Sequence, residues 1–423
     1  TKLKKKLILS MSDHPLSPSG VGTQTKYVME ALVKTGKYRI ISLGGAIKHH
    51  SYEPTKVEPY GDDWIIHPID GYGTPEVLRS IMRTERPDLV WFMTDPRFYG
   101  WLWEMEDEIR SLCPMLYYHV WDNYPYPKFN AIWYNSTDVV ASISKVTHDI
   151  VTTVSPEVDA HYLPHAVDDR IFSPQPPEKV HEFAKQALQD GDDLDSKFTF
   201  FWNNRNARRK QSGSLIYWFK DFLDEVGHDK ARLIMHTDAK DANGQDLIHI
   251  LENLELTNGQ VYLSQTKLPP ESLAMYYNMA DCTVNVADAE GFGLATLESL
   301  SCATPIIVTM TGGLQEQVTD GENWFGIGLE PASKAIIGSQ QVPYIYEDRV
   351  SGKDVVEALK KIYSMPTEER LALGLQGRNH VLTNYKFEDF NRKWVDLVEN
   401  TTEKYGSWET RQHYKRWHFK EID

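Results

Sequence analysis

Residues 290–298 read Glu-Gly-Phe-Gly-Leu-Ala-Thr-Leu-Glu, two carboxylates with seven residues between them, among which Gly291 and Gly293 stand out. The pattern predicts a strand over Thr283–Val286 that turns through the glycines into a helix over Leu294–Ser301. A glycine turn opening a helix exposes backbone N–H groups at the positive end of the helix dipole, which makes an anion site. A carboxylate on each side suits a ligand that carries both phosphate and hydroxyl groups, and a nucleotide-sugar is the leading candidate. The chain has 60 acidic residues, so such a pair also arises by chance, with Glu298 a solvated helix residue and the glycines an ordinary cap.

Other stretches add chemistry. A predicted strand, Phe198–Trp202, runs into Asn203-Asn204-Arg205-Asn206-Ala207-Arg208-Arg209-Lys210, with four cations in its last six residues. Arginine forks onto phosphate oxygens and lysine adds a point charge, so a loop at a strand end ahead of a helix favours phosphate contact over a merely solvated turn. Pro18-Ser19-Gly20-Val21-Gly22 lies between the first strand and a helix starting near Thr25. Gly20 and Gly22 allow close backbone approach, although any strand-to-helix turn favours glycine. Strand Met115–Tyr118 ends in His119, which is as readily structural as ligand-binding. Just beyond it, Trp121, Asp122 and Tyr124 are the candidates for an acceptor site, while Trp133 and Tyr134 read as core.

The elements that must position these groups alternate along the chain. Leu7–Ser10, Ile40–Leu43, Leu89–Phe92, Met115–His119 and Val139–Ser142 read as strands, with helices over Thr25–Lys34 and Pro75–Arg86. After the break Ser173-Pro174-Gln175-Pro176-Pro177 a second series begins. Its strands are Phe198–Trp202, Arg232–His236, Gln260–Leu263, Cys282–Val286 and Pro305–Val308. Its helices are Ser214–Glu225, Asp246–Leu254, Glu271–Met279 and Leu294–Ser301. Such alternation predicts parallel doubly wound sheets, two Rossmann-like α/β domains facing a cleft, with ligands beyond the carboxyl ends of the strands. The boundaries expected are 1–172 for the first domain and 173–405 for the second, whose last part is helical through Val355–Tyr363 and Phe390–Val398, with the segment about 406–423 beyond it.

Bulk composition is that of a globular protein of 423 residues, enough for two domains. A net charge of −15 argues against nucleic acid as a general partner. Three cysteines, Cys113, Cys282 and Cys302, do not make a disulfide framework, and the chain reads as cytoplasmic and reduced. Lys4-Lys5-Lys6 before Leu7-Ile8-Leu9 reads as a strand start, with some capacity for peripheral contact with anionic lipid, and no stretch is long enough for a transmembrane segment. No metal set is expected: His49-His50 lack partners, and Asp192-Asp193-Leu194-Asp195 follows no strand.

Together these motifs resemble the retaining glycosyltransferases of the GT-B fold, specifically group 1, also called family 4. Glu290 to Glu298 looks like that family's E-x7-E motif, and Ala303–Ile307 with Gly312-Gly313-Leu314-Gln315-Glu316 looks like the strand and glycine turn that follow. Arg205 and Lys210 match its diphosphate-holding cations, Gly20-Val21-Gly22 its N-domain glycine loop, and His119 a histidine that contacts the donor sugar. Pro164–Asp168 resembles the approach to the linker, with Ala166 where glycine is usual. The resemblance implies that Glu298 binds the ribose, that Gly291, Phe292, Gly293 and Leu294 present backbone to the donor, and that Glu290 lies by the transferred sugar. It also implies no cofactor, no required metal, retention of configuration by front-face attack, and a hydroxyl acceptor. It further implies that the aromatic and basic segment Trp408–Phe419 crosses back onto the N-domain. A nucleotide-sugar epimerase, a phosphorylase and a non-catalytic nucleotide-sugar binding protein are the alternatives.

Overall fold

The computed structural model describes residues 3–188, 193–417 and 421–422, so Asp192 and the end of the C-terminal segment at 418–420 lie outside the described residues. The first eight strands are β1 (Lys6–Asp13), β2 (Tyr38–Gly45), β3 (Thr55–Lys56), β4 (Trp64–Pro68), β5 (Leu89–Thr94), β6 (Met115–His119), β7 (Val139–Ser142) and β8 (Asp159–Tyr162). They form one sheet in the order β3-β4-β2-β1-β5-β6-β7-β8, parallel except for the short edge strand β3. Strands β1, β2, β5, β6 and β7 are buried nearly throughout, as their continuous apolar runs require of a parallel sheet covered on both faces.

A second sheet is built from β9 (Phe198–Asn203), β10 (Ala231–His236), β11 (Val261–Ser264), β12 (Cys282–Asn285), β13 (Ile306–Thr309) and β14 (Gly326–Leu329), ordered β11-β10-β9-β12-β13-β14 and all parallel. The chain enters this half near Ser173, where the Gln175 amide donates to Asn278 Oδ1 at 2.8 Å. Both sheets therefore follow from the strand–helix alternation, and both turn the carboxyl ends of their strands toward the other.

Beyond strands β3, β4, β8 and β14, which the sequence reading did not name, three features depart from it. The first helix begins at Gly20, not near Thr25, because Ser19 caps it and accepts a hydrogen bond from the Gly22 amide at 3.0 Å. The C-terminal return to the first domain begins at Phe387: helix Phe387–Tyr405 sets Phe387 against Tyr27, and Trp394 against Trp91 and Tyr118. The segment beyond it continues across the first domain, with Arg411 on Asp138 at 2.9 Å and Trp408 Nε1 donating to the Pro87 carbonyl. Finally, an antiparallel hairpin, β15 (Ser333–Ile337) and β16 (Ile345–Arg349), follows β14 and was not expected.

Candidate active site

The turn after β12 brings Glu290 to the cleft and hands the chain to helix Leu294–Ser301, whose capping residue Gly293 has φ 92°, a left-handed conformation suited to glycine. A Cβ at Gly312 would overlap the Glu290 carbonyl, so the second glycine turn lies directly against the first. Glu290 Oε2 accepts from Lys210 Nζ at 2.5 Å and from Asn285 Nδ2 at 3.2 Å, and the Lys210 and Glu290 side chains are each 11% exposed. Burial works to raise the Glu290 carboxyl, but Lys210 and Arg209 outweigh it and hold it below the usual carboxylate range. Burial lowers Lys210, with Glu290 pulling the other way.

The cationic loop divides its residues. Arg209 turns into the cleft, donates to the Ala289 carbonyl at 2.8 Å and pairs with Asp122 of the first domain at 3.2 Å. Arg205, the residue matched to the family arginine, turns outward to Asp241 at 3.0 Å and does not join the Lys210–Glu290 pair. Arg208 is held by Glu347 of the hairpin. The sequence pattern showed four cations but not which of them faces the cleft, so Arg209 was missed.

Across the cleft, Gly20 and Gly291 permit close approach. A Cβ on Gly20 would sit 3.1 Å from Leu294 Cδ1, and one on Gly291 would sit 2.7 Å from Asp122 Oδ1. Gly20, Leu294, Gly291 and Asp122 are thus brought together. Gly22 is not among them: it is buried inside the first helical turn, beneath Ser17 and the His14 carbonyl. Phe292 sends its ring into the core between His165 and Tyr385, leaving its backbone as the only part near the turn, and its carbonyl accepts from Gln317 Nε2 at 2.8 Å.

Glu298 lies on the next helix, half-buried, where Tyr277 OH donates to it at 3.3 Å and Asn203 Nδ2 donates to that same hydroxyl at 2.9 Å. Burial pushes its carboxyl up to about 8. The two glutamates of the motif are therefore shifted in opposite directions.

The aromatic and histidine expectations fare differently. His119 is fully buried, with Nε2 2.7 Å from Tyr134 OH and Nδ1 3.1 Å from Ser142 Oγ. Burial lowers its pKa to about 3, so the structure holds it as a neutral residue of the sheet, away from the cleft surface. Trp121 is 5% exposed, packs on Phe129 and bonds the Asn123 carbonyl, so its ring is core and not a sugar platform. Tyr124 is occupied by the second domain: its hydroxyl accepts from Gln315 Nε2 at 3.0 Å and its ring stacks on Tyr346.

Glu316, within the second glycine motif, ties the domains together. Its carboxylate accepts from the Lys145 amide at 2.6 Å, Tyr162 OH at 2.5 Å and Tyr385 OH at 2.9 Å. No group of metal-ligating side chains exists among the described residues, nor does any helix there that is long and apolar enough to cross a membrane. What the cleft offers is two cations beside an ionised carboxylate, at a glycine turn with open helix-start amides: a seat for a diphosphate next to a ring of hydroxyls.

Two parallel doubly wound sheets facing one another across this cleft define the GT-B fold. The sucrose-phosphate synthase structure from Thermosynechococcus elongatus superposes with a TM-score of 0.73 at 16% identity, covering 95% of this chain and 100% of that one. Residues 195–379 match the model of the glycosyl transferases group 1 family. It is 25% identical over 186 residues to alpha-monoglucosyldiacylglycerol synthase of Streptococcus pneumoniae, 44% of this chain and 40% of that protein. It is 37% identical over 87 residues to D-inositol 3-phosphate glycosyltransferase of Acidothermus cellulolyticus, 20% of this chain and 19% of that one. The chain thus spans less than half the length of these two relatives in the matched regions.

Proposed function

We propose that this protein is a retaining, metal-independent glycosyltransferase that moves a sugar from a UDP-, GDP- or ADP-sugar to a hydroxyl acceptor. The observation that carries the reading is the buried Lys210–Glu290 pair beside Arg209, at the glycine turn opening helix Leu294–Ser301.

As the glycosidic bond to the diphosphate breaks, negative charge grows on the leaving oxygen. Lys210 and Arg209 are positioned to neutralise it, with the free amides of the helix start adding fixed dipoles. Two such cations supply what a metal ion supplies elsewhere, which supports metal independence. The anomeric carbon becomes electron-poor at the same time, and the ionised Glu290 stabilises that charge or bonds hydroxyls of the moving sugar. Glu298 takes the ribose hydroxyls, with Gly291, Gly293 and Leu294 lining the backbone path. In front-face attack the acceptor oxygen forms the new bond from the side the diphosphate leaves. Its proton passes to the departing phosphate, so configuration is retained and no side-chain base is consumed. Asp122 pairs with Arg209 and lies against Gly291, which supports reading it as the N-domain residue that meets the acceptor. The acceptor is a lipid, glycan or small-molecule hydroxyl. The dispersed, unpaired thiols Cys113, Cys282 and Cys302 fit a cytoplasmic setting.

The test is nucleotide diphosphate release from UDP-, GDP- and ADP-sugars, with and without sugar, inositol phosphate and diacylglycerol acceptors, in EDTA. Release that needs an acceptor and yields a glycoside is expected. Release without glycoside, or an epimerised donor, would overturn the reading. Loss of activity in EDTA with rescue by manganese would remove metal independence.

A further inference from the structure

The hairpin β15–β16 projects from the end of the second sheet and touches both halves of the cleft. Ile345, at the start of β16, is 7% exposed and buried within the hydrophobic cluster of the first domain, where Ile337 and Val342 also pack. The Tyr346 amide donates to the Tyr124 carbonyl at 2.6 Å, and Asn123 Nδ2 reaches the Tyr346 carbonyl at 3.4 Å. The hairpin thereby adds a one-residue bridge to the loop that carries Asp122.

The next residues of β16 face the donor side. Glu347 is 2% exposed and takes both arms of the Arg208 guanidinium, at 3.0 and 2.7 Å. The Asp348 amide donates to the Asp288 carbonyl at 2.9 Å, and Asp348 Oδ2 accepts from Thr311 Oγ1 at 2.8 Å. Arg349 lies 3.5 Å from Asp288 Oδ2. Asp288 in turn accepts from Gln211 Nε2 at 2.8 Å and donates its amide to the Arg209 carbonyl at 2.8 Å. Gln211 has φ 58°, a left-handed conformation that costs a non-glycine residue energy and persists only when its surroundings impose it. The turn Arg208–Lys210 leads straight into that residue. Two buried carboxylates, Asp288 and Glu347, thus clamp the strained loop from which Arg209 and Lys210 project.

We propose that the hairpin is a strap coupling the Asp122 loop of the first domain to the cationic loop of the second, with Glu347 as a positioning residue for the diphosphate cations. Glu347 touches no substrate; it acts through Arg208. Successive residues of one short strand serve the two sides: Ile345 and Tyr346 meet the first domain, and Glu347 and Asp348 tie the donor-side loops. The inference rests on the reading of Lys210 and Arg209 as nucleotide diphosphate ligands.

The experiment is calorimetric binding of UDP, GDP and ADP to the full chain as wild type, Glu347→Gln, Glu347→Ala, Arg208→Gln and the Glu347→Gln/Arg208→Gln double variant. Melting temperatures provide the fold control. Arg208 is largely exposed and Arg349 remains 3.7 Å from Glu347, so Arg208→Gln is expected to fold even if the Glu347 variants do not. Each single variant is expected to weaken the preferred nucleotide about tenfold, and the double variant no more than either single one, as residues acting through one contact do. Folded variants that bind as tightly as wild type, or single effects that multiply in the double variant, would overturn the inference. A wild-type chain that binds none of the three nucleotides would instead overturn the functional reading beneath it.

Discussion

Lys210 Nζ and Glu290 Oε2 meet at 2.5 Å although they lie 80 residues apart, on loops from neighbouring strands β9 and β12. The pair is nearly sealed from solvent, and that changes what removing either partner does. A buried charge left without its partner costs about 3–5 kcal/mol. Lys210→Ala and Glu290→Ala are therefore expected to lower the melting temperature as well as to abolish turnover. The double variant Lys210→Met/Glu290→Gln removes both charges and is expected to recover most of the stability and none of the activity. Recovery of turnover in the double variant would show that the pair serves folding alone.

The structure turns Arg209 into the cleft and Arg205 out of it. Arg209→Ala is expected to weaken nucleotide diphosphate binding by about tenfold or more, as loss of a charge-assisted hydrogen bond to phosphate does. Arg205→Ala, in which an exposed pair with Asp241 is lost, is expected to have the smaller effect. The reverse order, measured by calorimetry, would mean that Arg205 swings inward when the donor binds.

Glu298 sets a pH dependence. Its folded carboxyl titrates at about 8 against an ordinary value of 4.5, with burial as the leading cause. The folded state thus holds a proton that the unfolded state has lost, and stability falls as pH rises through the window between those values. Glu298→Gln removes this titration. The melting temperature of the variant relative to wild type is expected to climb between pH 5 and 8, each point measured in the same ionic strength. Parallel curves for the two proteins would contradict the raised carboxyl pKa.

His119 tests the distinction between core and site. Both of its ring nitrogens are engaged by Tyr134 and Ser142. His119→Ala strands the Ser142 hydroxyl and leaves Tyr134 OH only its long bond from Asn130 Nδ2 at 3.3 Å, at a cost of about 1–3 kcal/mol for a group left unsatisfied. A lower melting temperature with unchanged donor KM is expected. A raised donor KM in a protein of wild-type stability would restore the sugar-contact role implied by its motif.

Glu290 and Lys210 were legible in the sequence because each sits just past a strand in a parallel doubly wound pattern, and such strand ends must converge on one cleft. Which cation of Arg205–Lys210 turns inward was not legible, since that depends on Asp122 and Ala289, residues remote in sequence. The positions of His119 and Trp121 were readable as strand-end residues, but their burial follows from packing by Tyr134 and Phe129, which no local pattern encodes. The hairpin escaped for a related reason. Ser-Lys-Ala-Ile-Ile and Ile-Tyr-Glu-Asp-Arg mix charge with apolar residues, and Glu347 and Asp348 are buried only because Arg208 and Thr311 receive them.

The central claim, transfer of a sugar from a nucleotide diphosphate with retained configuration, is tested most directly by proton NMR of the glycoside formed from an α-linked nucleotide-sugar. An α-glycoside that appears with wild type and not with Lys210→Met/Glu290→Gln is the predicted result. A β-glycoside, or an equal yield from the double variant, would contradict the account.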